Sequence, residues 1–293
     1  MTRCDLNLGF VGLGALGLPM AINLQRAGLQ LRLHTRSRKA ETHPDLEGAE
    51  RCASPAEAAK GVDVLLVCVS DDAAVEAVLF GAGGASGGLR PGSVVLDCST
   101  ISPAQAIHCA ERLSHQGVAY LDAPVTGGTE GAKAGSLTVL VGGDAAAVQQ
   151  VQPVLEVIGG TVHHFGAVGR GQQVKAVNQV LVAGSYAAVA EAMALGQRLQ
   201  LPMQQVMEAL KGGAAGSWAL NHRAQGMLDG SYPLGFKLAL HHKDLGIALS
   251  SAESVQLELP ISRLVQQQEA ELMNRGHGDE DVSALHRRFD TIQ

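Results

Sequence analysis

The apolar run Leu6-Asn7-Leu8-Gly9-Phe10-Val11 ends in Gly12-Leu13-Gly14-Ala15-Leu16-Gly17. Three glycines at this spacing, between a strand and a helix, leave few folds open. The first permits a tight turn and the second lets a pyrophosphate approach the backbone. The third lets the helix pack closely on the strand. The helix reads from Ala15 to Ala27, with Leu16, Met20, Leu24 and Ala27 spaced by three and four residues, and Gly28 stops it. The short strand Gln30-Leu31-Arg32-Leu33-His34 then runs into Thr35-Arg36-Ser37-Arg38, about 20 residues after the glycines, where an acid would bind the 2′-hydroxyl of NAD. A guanidinium there suits a 2′-phosphate. Gly12, Leu13, Gly14, Ala15, Leu16 and Gly17, with Thr35, Arg36 and Ser37, are therefore expected to bind NADP, NAD being possible.

Other readings of these segments exist. FAD proteins share the glycine motif, and 36 glycines make chance matches common. Leu6 to Leu24 is apolar and long enough for a signal peptide or membrane span, but four glycines and Pro19 weaken it, and no small-residue cleavage site follows a basic segment. Arg32, Arg36, Arg38 and Lys39 would otherwise read as a solvated turn, and their place after the second strand favours a small binding site.

A chain of 293 residues suggests about two domains, and 46% hydrophobic with 17% charged residues excludes disorder. The net charge of −6 argues against nucleic acid as the main partner. Cys4, Cys52, Cys68, Cys98 and Cys109 form no CxxC and no even framework, so they read as reduced thiols of a cytoplasmic chain, Cys68 and Cys98 lying in core strands. The histidine pairs His163-His164 and His241-His242 are adjacent and point apart, so no metal site is expected.

Further strands are expected at Asp63–Val69, Ser93–Asp97, Ala119–Asp122, Leu137–Val141 and Thr161–His164, alternating with helices. This is the pattern of a doubly wound, Rossmann-type parallel sheet over residues 1–166, with Gly81–Gly92 as a loop inside it. Beyond Gly166 strand signals stop, and residues 167–293 read as an all-α substrate and oligomerisation domain. Its longest helix, about Gly171 to Leu199, is expected to be buried on several sides, as the spine of the domain or of a homo-dimer or homo-tetramer. Helices over Phe236–Val255 and Ile261–Asn274 follow.

Several motifs remain: Asp97-Cys-Ser-Thr100, Asp122-Ala-Pro-Val-Thr-Gly-Gly128, Gly169-Arg-Gly171 leading to Lys175 and Asn178, Lys243-Asp244, and Gly278-Asp-Glu-Asp-Val-Ser-Ala284. With the glycine fingerprint they make nearly the whole chain resemble the β-hydroxyacid dehydrogenase family, which includes 3-hydroxyisobutyrate dehydrogenase and tartronate semialdehyde reductase. The resemblance implies hydride transfer between a nicotinamide and a small β-hydroxy acid or its semialdehyde, with Lys175 as acid/base. It implies that Thr126, Gly127 and Gly128 bind the substrate carboxylate, and that Thr100 and Lys243 lie near the cofactor. Val69 and Ser70 end a neighbouring strand, and Phe236 reads either as core packing or as closing over the nicotinamide. Asn178 and Gln179 share a helix face with Lys175 and would hold the lysine or the substrate.

The chemistry agrees with this placement, since the hydroxyl proton needs a partner and an ammonium can meet the charge developing on oxygen. A free lysine, with a pKa of about 10.4, is a poor base, and a site one turn inside a helix start is expected to lower it. Thr126 stands where the family often has Ser, and Gln179 where Asn is more common. Trp218 reads as packing or as the border of the substrate entrance. An imine or other carbonyl reductase on the same scaffold, or a catalytically silent cofactor-binding module, are the competing readings.

Overall fold

The computed structural model describes residues 6–290; Cys4 lies outside them. The chain divides into two compact units, one ending at Lys175 and one beginning at Ala176. The first unit contains strands β1 (Asn7–Val11), β2 (Gln30–His34), β3 (Glu50–Arg51), β4 (Val64–Val67), β5 (Val94–Asp97), β6 (Ala119–Asp122), β7 (Val125–Thr126), β8 (Leu137–Val141) and β9 (Gly159–His164). Between them run helices α1 (Gly17–Arg26), α2 (Pro55–Ala59), α3 (Asp72–Phe80), α4 (Pro103–Ser114), α5 (Gly128–Ala134) and α6 (Ala145–Ile158). Leu6 to Leu24, which the sequence alone leaves open as a span, forms β1, a turn and the start of α1.

Six strands form one parallel sheet in the order β3-β2-β1-β4-β5-β6. Alternate residues of each strand serve opposite faces. Val64 and Leu66 of β4 pack with Phe10, Met20 and Leu24 in one core cluster, while Leu65 and Val67 pack with Val75, Leu79 and Leu113 in the other. Both faces are therefore covered, as a parallel sheet built from crossover helices requires.

Two expected strands leave this sheet. β8 and β9 pair in parallel with each other, and β7 pairs antiparallel with β8, giving a separate three-stranded sheet. The cause lies at Ala123-Pro124. Pro124 has no N–H to continue a ladder, so the chain turns after β6, and Pro124 accepts from Leu140 N while Val125 and Thr126 pair with β8. Cys68 and Cys98 also differ from expectation, since each falls one residue beyond its strand; Cys98 is buried and Cys68 only half-buried. The four described cysteines are free, and burial pushes the Cys68 and Cys109 thiols up to about 12.

Helix α7 (Arg170–Arg198) crosses from one unit to the other in sequence. The second unit continues with α8 (Met203–Leu210), α9 (Trp218–Leu228), α10 (Leu238–Ser254) and α11 (Pro260–Asn274) around Tyr186, Met193, Met227, Leu238, Leu245 and Leu272. By length and composition alone α7 could cross a membrane. Its Ala183, Tyr186, Ala190 and Met193 are buried in the helical core. Within the single chain another side of α7 is exposed, at Val177 (62%), Leu181 (70%) and Leu195 (61%). Spacings of four and eighteen residues put these three on one side of the helix.

Asp97 and Asp122, neighbours in register at the ends of β5 and β6, are both fully buried. Burial pushes the Asp97 carboxyl up to about 6, against hydrogen bonds from Ser99 N (2.9 Å) and Tyr120 Oη (2.7 Å), and the charge of Asp122 adds to the rise. A carboxyl raised in the folded state contributes stability that is complete below its unfolded pKa and is lost as pH climbs through about 6. Asp97→Asn keeps an acceptor for Ser99 N and removes the titration. Urea unfolding at pH 4.0, 5.5 and 7.5 should show the native chain losing about 2 kcal/mol relative to this variant across the range. A constant difference would contradict the assignment.

Candidate active site

Gly12 has φ +100°, and a Cβ there would stand 2.2 Å from Cys68 O; at Gly17 it would stand 1.9 Å from Gly12 O. At Gly14 it would meet nothing within 4 Å. The first and third glycines are thus required by the turn and by the packing of α1, while the second faces open space. Helix α1 starts without a side-chain cap and without an acid in its first turn, which leaves its N-terminal amides and positive dipole end suited to a phosphate. Leu13 N donates to Thr35 Oγ1 at 3.3 Å, joining the loop to the end of β2. Leu13 is buried, Leu16 half-buried and Ala15 exposed.

Thr35 is buried and its N–H donates to Glu41 Oε1 at 2.8 Å. Glu41, itself 1% exposed, pairs through Oε2 with Arg38 at 3.0 Å, and Arg38 also donates to Cys52 O. Arg38, Arg36 and Ser37 are all exposed, but Arg38 is engaged as the counter-ion of a buried acid. Sequence reasoning missed Glu41 because it lies in a 3-10 turn (Lys39–Thr42) and not at the strand end. Val69 N is held by Ser99 Oγ at 2.9 Å, and the Ser70 hydroxyl donates to Asp71 at 2.7 Å. With half-buried Thr100, these residues follow β4 and β5, at the same carboxyl edge of the sheet as Gly12.

Lys175 is buried, and its Nζ donates to Val125 O at 2.9 Å. Val125 directly precedes Thr126, Gly127 and Gly128, so the structure brings the lysine to that segment. Half-buried Thr126 closes β7, and the chain enters α5 through Gly127 (φ +128°) and Gly128 (φ +63°), a strand-to-helix turn. The start of α7 is fixed by Asp122, whose Oδ1 accepts from Gly169 N at 2.7 Å and Oδ2 from Gln172 N at 2.9 Å. The Gln172 side chain donates to Ser99 O at 2.8 Å and accepts from Ile101 N at 3.2 Å.

In the helical unit the two amides are joined. Asn178 Nδ2 donates to Gln179 Oε1 and Gln179 Nε2 to Asp244 Oδ2, each at 2.7 Å. Lys243 Nζ stands 2.9 Å from Asp244 Oδ1, an ion-pair contact rather than an aligned hydrogen bond. Asp244 was legible only as the neighbour of Lys243. Phe236 is half-buried; its N–H donates to Asp281 at 2.9 Å and its ring meets His241 edge-on, 5.7 Å between centroids. His241 in turn pairs with fully buried Glu269 at 2.5 Å. Trp218 belongs to a different cluster, stacked on His222 (4.5 Å) and beneath Arg223 (4.6 Å). Among the described residues no three His, Cys, Asp or Glu side chains converge to hold a metal.

This strand order, with its glycine turn and uncapped α1, defines a dinucleotide-binding unit of the Rossmann type. The family model described as the NAD binding domain of 6-phosphogluconate dehydrogenase matches residues 7–166, and that described as NAD-binding of NADP-dependent 3-hydroxyisobutyrate dehydrogenase matches residues 169–289. The chain is 38% identical to 2-hydroxy-3-oxopropionate reductase of Escherichia coli (strain K12) over 96% of both chains. It is 34% identical to 2-(hydroxymethyl)glutarate dehydrogenase of Eubacterium barkeri, over 96% of this chain and 94% of the relative. The crystal structure of 3-hydroxyisobutyrate dehydrogenase from Salmonella typhimurium superimposes with a TM-score of 0.89 at 34% identity, covering 97% of this chain and all of that one. The chain belongs to the β-hydroxyacid dehydrogenase family and is an NAD(P)-dependent oxidoreductase.

The glycine loop separates folding from binding. Gly17→Ala should lower stability by at least about 2 kcal/mol, because the methyl group meets backbone. Gly14→Ala should melt like the native chain yet bind NADPH at least tenfold more weakly in a fluorescence titration. Equal NADPH affinity in Gly14→Ala would place the pyrophosphate elsewhere.

Proposed function

We propose that the chain interconverts a small β-hydroxy acid and its semialdehyde or keto acid, with Lys175 as the acid/base and NADP(H) as the preferred cofactor. One observation carries the reading: the Lys175 ammonium is bonded to Val125 O, one residue from Thr126-Gly127-Gly128. A group that moves the hydroxyl proton and a segment that would hold a carboxylate thus share one short stretch of backbone. The two curated relatives named above are both named for carboxylate substrates.

When bound, the nicotinamide supplies or accepts the hydride at the carbinol carbon. Lys175 gives a proton to the carbonyl oxygen during reduction and takes it back from the hydroxyl during oxidation. The Thr126 hydroxyl and the backbone of Gly127 and Gly128 hold the carboxylate. Asn178 and Gln179 present amides one helical turn beyond Lys175, and Asp244 fixes Gln179. Arg36 supports NADP over NAD, since it is exposed while Arg38 is tied to Glu41. Free thiols at the four described cysteines fit a cytoplasmic setting. The exposed apolar side of α7 at Val177, Leu181 and Leu195 supports a homo-oligomer.

Replacing Lys175 by Ala should cost about 10²–10⁴-fold in kcat, with NADPH binding retained. Substrate panels of small hydroxy acids and semialdehydes, run with both cofactors, should show turnover in the native chain. No turnover with any of them would favour a silent cofactor-binding module. Native kcat/KM should favour NADPH over NADH, and Arg36→Ala should cut that preference by about 10–100-fold, the loss of one charge-assisted phosphate contact. A native preference for NADH would refute the role of Arg36.

A further inference from the structure

We propose that Asp122 is the positioning residue for Lys175, a carboxylate that seats the first turn of α7 and thereby places the ammonium beside Thr126-Gly127-Gly128. The inference rests on the reading of Lys175 as acid/base. Asp122 ends β6 and is fully buried. Both of its oxygens are used, Oδ1 by Gly169 N and Oδ2 by Gln172 N, one on each side of the residue at which α7 begins. Lys175 lies three residues after Gln172, and its Nζ returns to Val125 O, three residues after Asp122. The chain from Asp122 to Val125 and the helix from Gly169 to Lys175 are thus linked at both ends. Moving the helix start moves the ammonium against the carboxylate-binding segment.

The carboxylate is enclosed closely by two glycines. A Cβ at Gly142 would lie 2.5 Å from Asp122 Oδ1, and one at Gly171 would lie 2.9 Å from Oδ2 and 2.3 Å from Leu140 O. Glycine at both positions is what lets strand ends and helix close on the acid. Burial raises the Asp122 carboxyl, and the amide bonds from Gly169 and Gln172 oppose the rise. The positive end of α7 also favours a negative charge there. Asn cannot substitute: two N–H donors need two acceptors, and an amide brings one oxygen and one NH₂ that would face a backbone N–H.

The test uses the full chain with NADPH and the best substrate of the panel. Asp122→Asn should lower kcat by about 100-fold, the cost of displacing a reacting group by about 1 Å, while the NADPH Kd stays within about twofold. Gly142→Ala keeps the charge and crowds Oδ1, and should lower kcat by about tenfold with the same retained Kd; it decides the question if Asp122→Asn fails to fold. In a Lys175→Ala background Asp122→Asn should add no further loss, because both act through one group. Native kcat in both variants would overturn the proposal, as would losses of kcat and NADPH affinity in equal proportion, which mark a merely structural role. An active Lys175→Ala would instead sink the acid/base reading itself.

Discussion

Two backbone amides at the start of α7 donate to one buried carboxylate at the end of β6, and the first turn of the helix that carries Lys175 is seated by that contact. Taking a carboxylate out of water costs several kcal/mol unless it is fully bonded. Here two charge-assisted bonds and the positive helix end offset the cost. The backbone of Asp122 also exchanges hydrogen bonds with Gly142, so the same residue joins the six-stranded sheet to the three-stranded one. The dipole that the sequence suggests should act on Lys175 is thus met first by Asp122.

A comparable device holds the dinucleotide loop. Glu41 is buried below Thr35, and Thr35 bonds both to Glu41 and to the glycine turn. A bare buried acid is costly, and Arg38 neutralises Glu41. Both nearby arginines are exposed, and pairing rather than burial separates them: Arg38 is bonded to Glu41 and Cys52 O. In the helical unit Asp244 plays the analogous part for Gln179, turning a flexible amide into a fixed one.

Much of this organisation was legible in the chain. The glycine spacing, the alternation of strands and helices, and the long apolar α7 specified a Rossmann-type unit followed by helices. The position of Thr35 and Arg36 after β2 was equally plain. The role of Asp122 was not, since its motif marks a segment and says nothing about which backbone amides its oxygens will meet. Glu41 was hidden because an acid seven residues beyond a strand end looks like any surface glutamate. The second sheet was hidden for another reason: β8 has the same apolar pattern as the strands of the first sheet, and only the turn at Pro124 sends it elsewhere.

By itself the sequence determined the local geometry: glycine where a Cβ would strike backbone, apolar residues at the periods of strand and helix, and a lysine one turn inside α7. These are short-range steric and solvation constraints, and they can be read residue by residue. Only the tertiary structure decided which charges are buried together, which arginine pairs with Glu41, and that Lys175 reaches Val125. Those outcomes depend on partners 50 residues apart in the chain for Lys175 and Val125, and 47 for Asp122 and Gly169. Pairing at that range is fixed by packing, where a buried charge must find its acceptors or donors.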